Sequence, residues 1–260
     1  MLIKLKKYFK KVGRRKLTDN NSNYELKSAN YQLPTANCQL HSMYRIIKRF
    51  LDLLIATIAL IILSPILIPC MIILKLTGEH EVFYKQKRVG YKNRVFGIWK
   101  FATMLKNSPG IGTGVITLRN DPRVTSFGKI LRITKLNELP QIINVFKADM
   151  SIVGPRPLMQ VSVDLYPPEI KDKIYNVRPG ITGIGSLIFR DEEKIVSDAA
   201  DPRAMYALIY PYKGQLEMWY QQHASLYTDF MIIFLTGWSV IFPKNKLVHK
   251  VFKDLPTRNF

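Results

Sequence analysis

The chain has 260 residues, room for one or two modest domains with a real core, and a formal charge of +20 from 39 Lys and Arg against 19 Asp and Glu. Its apolar share of 47% is ordinary, which excludes a polytopic membrane protein. Cys38 and Cys70 lie in no CxxC or metal-ligand spacing, so neither a disulfide framework nor a zinc site is indicated.

Residues 1–43 read as a basic N-terminal extension and flexible linker. Residues 1–49 hold twelve Lys and Arg against Asp19 and Glu25, a net +10 that is half of the excess. Such charge suits anionic lipid, phosphorylated substrates or nucleic acid. No nucleic-acid-binding motif accompanies it, so nucleic acid is not an expected partner. Residues 1–16 form a basic amphipathic start suited to a lipid surface, and 18–42 are polar, Asn-rich and aperiodic.

Residues 53–74 are 22 consecutive uncharged positions, about 33 Å of helix, enough to cross a hydrocarbon core of roughly 30 Å. The run lies too far along the chain, and is too long, for a cleaved signal peptide. A buried helix of a soluble domain rarely stays this apolar on all sides, so membrane insertion is expected. Ser64-Pro65 in the middle and Pro69 one turn later predict a break or kink. Both flanks are basic, with Lys48 and Arg49 before the run and Lys75, Lys85, Lys87 and Arg88 after it. Short basic flanks favour the cytoplasmic side, so a helix that bends at Ser64-Pro65 and returns satisfies both. We therefore expect a re-entrant membrane helix over 44–78. Asp52, near the start of the run, is expected to pair one turn back with Lys48 and Arg49 as an anchor.

Residues 79–260 read as a cytoplasmic domain. Strand-like patterns at 82–87 and 95–101 flank a turn at 90–93, and the Gly- and Pro-rich stretch 107–123 is a long loop. Residues 124–135 mix helix and strand signals. Residues 137–147 read as a helix, with Leu139, Ile142, Ile143 and Phe146 at three- and four-residue spacing. Further helices are expected near 158–174 and over 204–225. The apolar run 230–242 is too short to span a membrane and suits either its interface or a core helix. The fold class is α+β, mainly helical with a little β.

Asn137 is a candidate N-cap with Glu138 in the first turn, which is ordinary helix punctuation. A helix N-terminus among Lys129, Arg132 and Lys135 also favours phosphate, and a carboxylate there can hold Mg²⁺ together with substrate phosphates. In Gly154-Pro155-Arg156-Pro157 two prolines stiffen a loop around one guanidinium, either a phosphate fork or a simple Pro-rich turn. Arg178-Pro179-Gly180 repeats the theme, with Gly180 and Gly183 allowing close backbone approach. Lys100 and Arg88 add cations.

Taken in order, KRFLD at 48–52, SP at 64–65, FYKQKRVG at 83–90, KFATM at 100–104, DPRVTSFGKILR at 121–132, NELPQIINVFKADMSIVGPRP at 137–157 and RPGITG at 178–183 resemble the bacterial sugar transferase family. These are small monotopic phosphoglycosyl transferases. The resemblance covers about 44–242. It implies transfer of a sugar 1-phosphate from a nucleotide sugar, usually a UDP-sugar, to polyprenyl (undecaprenyl) phosphate with Mg²⁺, at the inner face of the cytoplasmic membrane. It also implies initiation of exopolysaccharide, capsule, O-antigen or glycoconjugate assembly, with inner-membrane lipid and downstream glycosyltransferases as partners, and interfacial amphipathic helices. Mapped by motif, Glu138 helps hold the metal and Arg156 meets phosphate, with Arg88, Lys100, Asp121, Arg123, Arg132 and Arg178 as further substrate contacts. The family's nucleophilic Asp falls at Asn137, and an amide is a poor nucleophile. Three explanations are open: another group attacks, the chain is an inactive lipid- or partner-binding relative, or the residue is an engineered change. Ala102, where many relatives carry a basic residue, and 183–189 also depart from the family pattern.

Overall fold

The computed structural model describes residues 38–106, 108, 121–243 and 247–258; the N-terminal extension over 1–37 and the Gly/Pro loop at 109–120 lie outside these residues. Residues 37–260 form one compact unit. Helices dominate, with two small sheets.

Helix α1, Cys38–Leu76, contains the whole apolar run. Its segment Met43–Leu76 is the one described helix long and apolar enough to cross a membrane. Ile61, Ile62 and Leu76 are each more than 65% exposed. The helix is continuous through Pro65 and Pro69, so of the expected break or kink at Ser64-Pro65 there is no break. Pro65 has no N–H for the Ile61 carbonyl, and the Ser64 hydroxyl donates to that carbonyl instead at 2.9 Å.

Among the described residues Asp52 makes no direct ion pair with Lys48 or Arg49, although its charge still acts on Arg49. Asp52 is 4% exposed, and its Oδ1 accepts from the Ser151 hydroxyl at 3.1 Å and the Ile152 N–H at 3.0 Å. Those donors satisfy the buried carboxylate, so its neighbours serve elsewhere. Arg49 donates to the Phe146 carbonyl. Lys48 pairs with Asp229 Oδ2 at 2.7 Å, an oxygen that also accepts from the Tyr44 hydroxyl, while Tyr220 donates to Oδ1. Asp229→Ala would leave a mostly buried ammonium unpaired and remove the shared acceptor of two hydroxyls; we expect a loss of about 3–5 kcal/mol, read by denaturant melts of the membrane-reconstituted chain. An unchanged midpoint would refute this latch.

After α1 comes an antiparallel hairpin, β1 Phe83–Val89 and β2 Val95–Phe101, registered with Tyr84 opposite Lys100 and closed by a 3₁₀ turn at Tyr91–Asn93. The ambiguous segment at 124–135 resolves into α2, Ser126–Ile133, whose N-cap Thr125 accepts from the Gly128 N–H. The helix expected over 137–147 divides. Leu136–Gln141 is a 3₁₀ turn containing Pro140, and α3 covers only Ile142–Phe146. Lys135, at φ 61°, precedes the turn, so Asn137 lies inside it and is not an N-cap. The buried face of α3 is Ile142, Asn144 and Val145, whereas Phe146 is exposed.

Strands β3 Ser151–Val153 and β4 Gly180–Thr182 pair in parallel. The crossover between them carries α4 Gln160–Val163 and α5 Pro168–Lys171, as a parallel pair requires. Helices α6 Ile184–Ile188, α7 Glu192–Ser197, α8 Pro202–Gln222, α9 Leu226–Ile241 and α10 Leu247–Val251 complete the fold. The second apolar run forms α9. Its Ile232 and Leu235 are buried, while Phe230, Val240 and Ile241 stand at least 64% exposed, so it is a core helix on one face and an apolar surface on the other.

Candidate functional site

Lys100 and Glu138 meet because a buried asparagine joins their elements. Asn144 is fully buried; its Oδ1 accepts from the Trp99 N–H at 2.9 Å and its Nδ2 donates to the Gly97 carbonyl at 2.8 Å. The side chain thus acts as a short extra strand edge that fixes β2 against the 136–146 segment. Glu138 Oε1 then accepts from Lys100 Nζ at 2.8 Å and from Arg156 Nη2 at 2.9 Å.

Arg156 is set by its loop. A Cβ added to Gly180 would fall 2.1 Å from the Gly154 N, so the two Gly/Pro segments touch backbone to backbone. The Gly154 N–H donates to the Thr182 carbonyl, and the Tyr175 hydroxyl donates to the Arg156 carbonyl. The stiff loop and the close glycine approach read from the sequence are both present.

The electrostatics follow from three cations around one carboxylate. Burial pushes the Glu138 carboxyl up, but the charges and hydrogen bonds of Arg156 and Lys100 outweigh it and hold the group well below the usual carboxylate range. Burial pulls Lys100 down to about 8, opposed by Glu138 and reinforced by Arg156 and Arg88. Burial and Arg156 likewise lower Arg88, whose Nε has no hydrogen-bond partner among the described residues. An anion entering here meets a surplus of positive charge and an unused donor.

These groups line a cleft of about 1180 Å³. One wall is apolar and includes Ala59 and Leu63 of α1 and Val240 of α9. Arg88, Lys100, Arg132, Asn137, Glu138 and Arg156 form the charged part, and Ser186, Phe189, Arg190, Glu192, Tyr206, Tyr210 and Lys213 lie along α6 to α8. Arg178 is not part of this lining; its Nε donates to the Ala148 carbonyl and its guanidinium sits 5.4 Å over the Tyr91 ring. Arg123 does line the cleft, but its guanidinium is 2% exposed and engages Asp121 through two nitrogens as well as the Ser108 carbonyl. Asp121 and Arg123 therefore pair with each other and hold the Ser108 carbonyl. Lys48, Arg49, Asp52, Ser64 and Pro65 belong to α1 and its packing, as described above.

Sequence reasoning missed Asn144, Glu192, Lys213, Glu217 and Asp229. Glu217 is 2% exposed; burial pushes its carboxyl up to about 7, while Lys213 and the backbone N–H groups of Arg156 and Gly185 pull it down. A charged residue inside an otherwise apolar helix was the available signal for Asp229.

A family model described as bacterial sugar transferase matches residues 43–243. The chain is 37% identical over 196 residues, 75% of its length, to the UDP-N-acetylgalactosamine-undecaprenyl-phosphate N-acetylgalactosaminephosphotransferase of Aeromonas hydrophila. It is 32% identical over 203 residues to the exopolysaccharide production protein ExoY of Sinorhizobium fredii, covering 73% of this chain and 83% of that protein. It is 33% identical over 201 residues, 76% of its length, to the UDP-glucose:undecaprenyl-phosphate glucose-1-phosphate transferase of Escherichia coli. The match spans only 43% of the Aeromonas protein and 40% of the Escherichia coli one. With a family-model match over 43–243, this chain belongs to the bacterial sugar transferase family.

Proposed function

We propose that this chain transfers a sugar 1-phosphate from a UDP-sugar to undecaprenyl phosphate, releasing UMP, at the cytoplasmic face of the bacterial inner membrane. The product would start an exopolysaccharide, capsule, O-antigen or glycoconjugate chain. The observation that carries this reading is the cationic cluster on Glu138 in a cleft walled on one side by α1. A diphosphate and a lipid phosphate both need positive charge, and the lipid tail needs the apolar wall. The names of the relatives, two of which specify UDP-sugars and undecaprenyl phosphate, support it.

The same body of the chain packs along α1 on both sides of Pro65. Asp52 and Ala56 meet β3, Ile98 and Ile142, while Cys70 and Leu74 meet Phe101 and Leu131. A straight spanning helix would put these two stretches at opposite faces of the bilayer, so this packing supports re-entry. Exposed Ile130 and Ile133 of α2, beside Lys129 and Arg132, and the apolar outer face of α9 suit the interface. Cysteine labelling tests this: access from the periplasm near residues 80–90 would exclude re-entry.

The residues present fit Mg²⁺. Both cations contact Oε1 of Glu138, and among the described residues no protein donor reaches Oε2. Mg²⁺ takes one or two carboxylates and completes its shell from phosphate and water, so the lack of a larger cluster of described ligand residues is no obstacle. Glu138 would hold the ion, and Asn137 precedes it in the same turn of the cleft lining. When bound, Mg²⁺ neutralises the charge that collects on the diphosphate during transfer. Arg156, Lys100 and Arg88 orient that diphosphate.

With Asn137 in place of a carboxylate, the lipid phosphate oxygen attacks the sugar-bearing phosphorus directly. The bond to the bridging oxygen breaks, and UMP leaves with the electron pair. Asn137 equally supports a second reading, a chain that binds both substrates without turnover. UMP release from a panel of UDP-sugars with undecaprenyl phosphate and Mg²⁺ decides between them. No release with any donor, while the Asn137→Asp variant is active, would establish the second.

Lys100 gives this site a pH dependence. It is a cation below about 8 and neutral above, so UMP affinity should fall as pH rises from 7 to 9, by about tenfold. Lys100→Arg should abolish that fall, because arginine stays protonated. Calorimetric titration with UMP at several pH values checks this, and a flat wild-type profile would refute it.

A further inference from the structure

We infer that Glu192, held by Lys213, forms with Ser186 of the same cleft lining a recognition wall for a vicinal diol of the donor, either its ribose or its hexose. The inference rests on the donor reading above and assigns the part of the cleft that reading leaves without a task.

Lys213 is 2% exposed and donates to Glu192 Oε2 at 2.9 Å. Its ammonium also sits 5.0 Å from the Tyr210 ring centroid and 5.8 Å from that of Phe189, so it is held from several sides. The pair therefore fixes the Glu192 carboxylate and leaves Oε1 buried with no hydrogen-bond partner among the described residues. An ionised carboxylate only accepts, so whatever completes Oε1 must donate. A phosphate oxygen cannot.

A cationic ligand is disfavoured in turn. Lys213 is bonded to the carboxylate, and the charge of Glu192 acts on Arg156 as well, so positive charge already surrounds the position. The donor is then neutral. Ser186 Oγ is a second buried group without a partner, and it can give or take a hydrogen bond. Close by, the Tyr206 and Tyr210 hydroxyls share a 2.6 Å hydrogen bond and their rings stand 4.5 Å apart. A fixed acceptor, a rotatable hydroxyl and aromatic faces suit a ring with O–H groups on its edge and C–H groups on its face.

The test is calorimetric binding of UMP, 2′,3′-dideoxy-UMP, UDP-glucose and UDP-N-acetylgalactosamine to the full-length chain, wild type and Glu192→Gln. A ribose contact predicts UMP weakened by about tenfold or more with dideoxy-UMP unaffected. A hexose contact predicts the same loss for a UDP-sugar with UMP unaffected. Equal loss for UMP and dideoxy-UMP, or no loss for any ligand, overturns the inference. Glu192→Gln also weakens the partner of a buried lysine, so Ser186→Ala serves as the second variant. It removes no ion pair and should reproduce the ligand pattern with a smaller loss and an unchanged melting midpoint. If wild type binds none of the four ligands, the donor reading fails, and this inference with it. Wild-type binding insensitive to both variants overturns the diol wall alone.

Discussion

Asn137→Asp is expected to raise UMP release by on the order of a thousandfold and to yield a covalent phosphosugar adduct that wild type does not form. The expectation comes from position: residues 137 and 138 are consecutive in one 3₁₀ turn and both line the cleft. A carboxylate at 137 would face the same phosphate that Arg156 and Lys100 orient, and it can form an acyl-phosphate where an amide cannot. Mass spectrometry after incubation with donor alone detects the adduct, and hydroxylamine should remove it. Kinetics would change form as well, from one requiring both substrates together to one in which donor alone releases UMP. An Asn137→Asp variant with wild-type turnover and no adduct would show that position 137 does not set the nucleophile.

That this site was partly legible in the sequence, and partly not, follows from the range of the interactions that build it. The hairpin, the stiff Arg156 loop and the Gly154–Gly180 approach are written in local chemistry: turn residues, prolines that limit φ, glycines where a Cβ would collide. The cation on each motif could therefore be named. What held the cations in place could not. Asn144 reaches Gly97 across 47 residues of chain, and Tyr44 and Lys48 reach Asp229 across 185 and 181. No periodicity records such partners. The same gap misassigned Lys48, whose nearest carboxylate in sequence is Asp52 but whose partner in space is Asp229. The helix expected over 137–147 failed for a local reason. Lys135 in the left-handed region and Pro140 without an N–H favour a 3₁₀ turn, and apolar spacing does not distinguish that turn from the first turn of an α-helix.

Glu138→Gln is expected to separate binding from turnover. Among the described residues it is this carboxylate that pairs directly with both Lys100 and Arg156. Without it, three cations face one another and any entering phosphate. In EDTA the variant should therefore bind UMP more tightly than wild type, by roughly tenfold. It should also show its binding midpoint at a pH below the Lys100 value of about 8, because Glu138 is what raises that lysine. With Mg²⁺ and both substrates, turnover should fall by about a hundredfold or more, since the variant has lost the anionic oxygen that would hold the ion. The two effects have opposite signs, which a merely damaged fold would not produce. If affinity and turnover fell together, Glu138 would be holding the site together structurally. If turnover persisted at the wild-type level, the metal would lie elsewhere. Tighter binding with lost turnover is the result that assigns Glu138 to the chemistry, and it holds whether the attacking oxygen comes from the lipid phosphate or, in the Asn137→Asp background, from the new carboxylate.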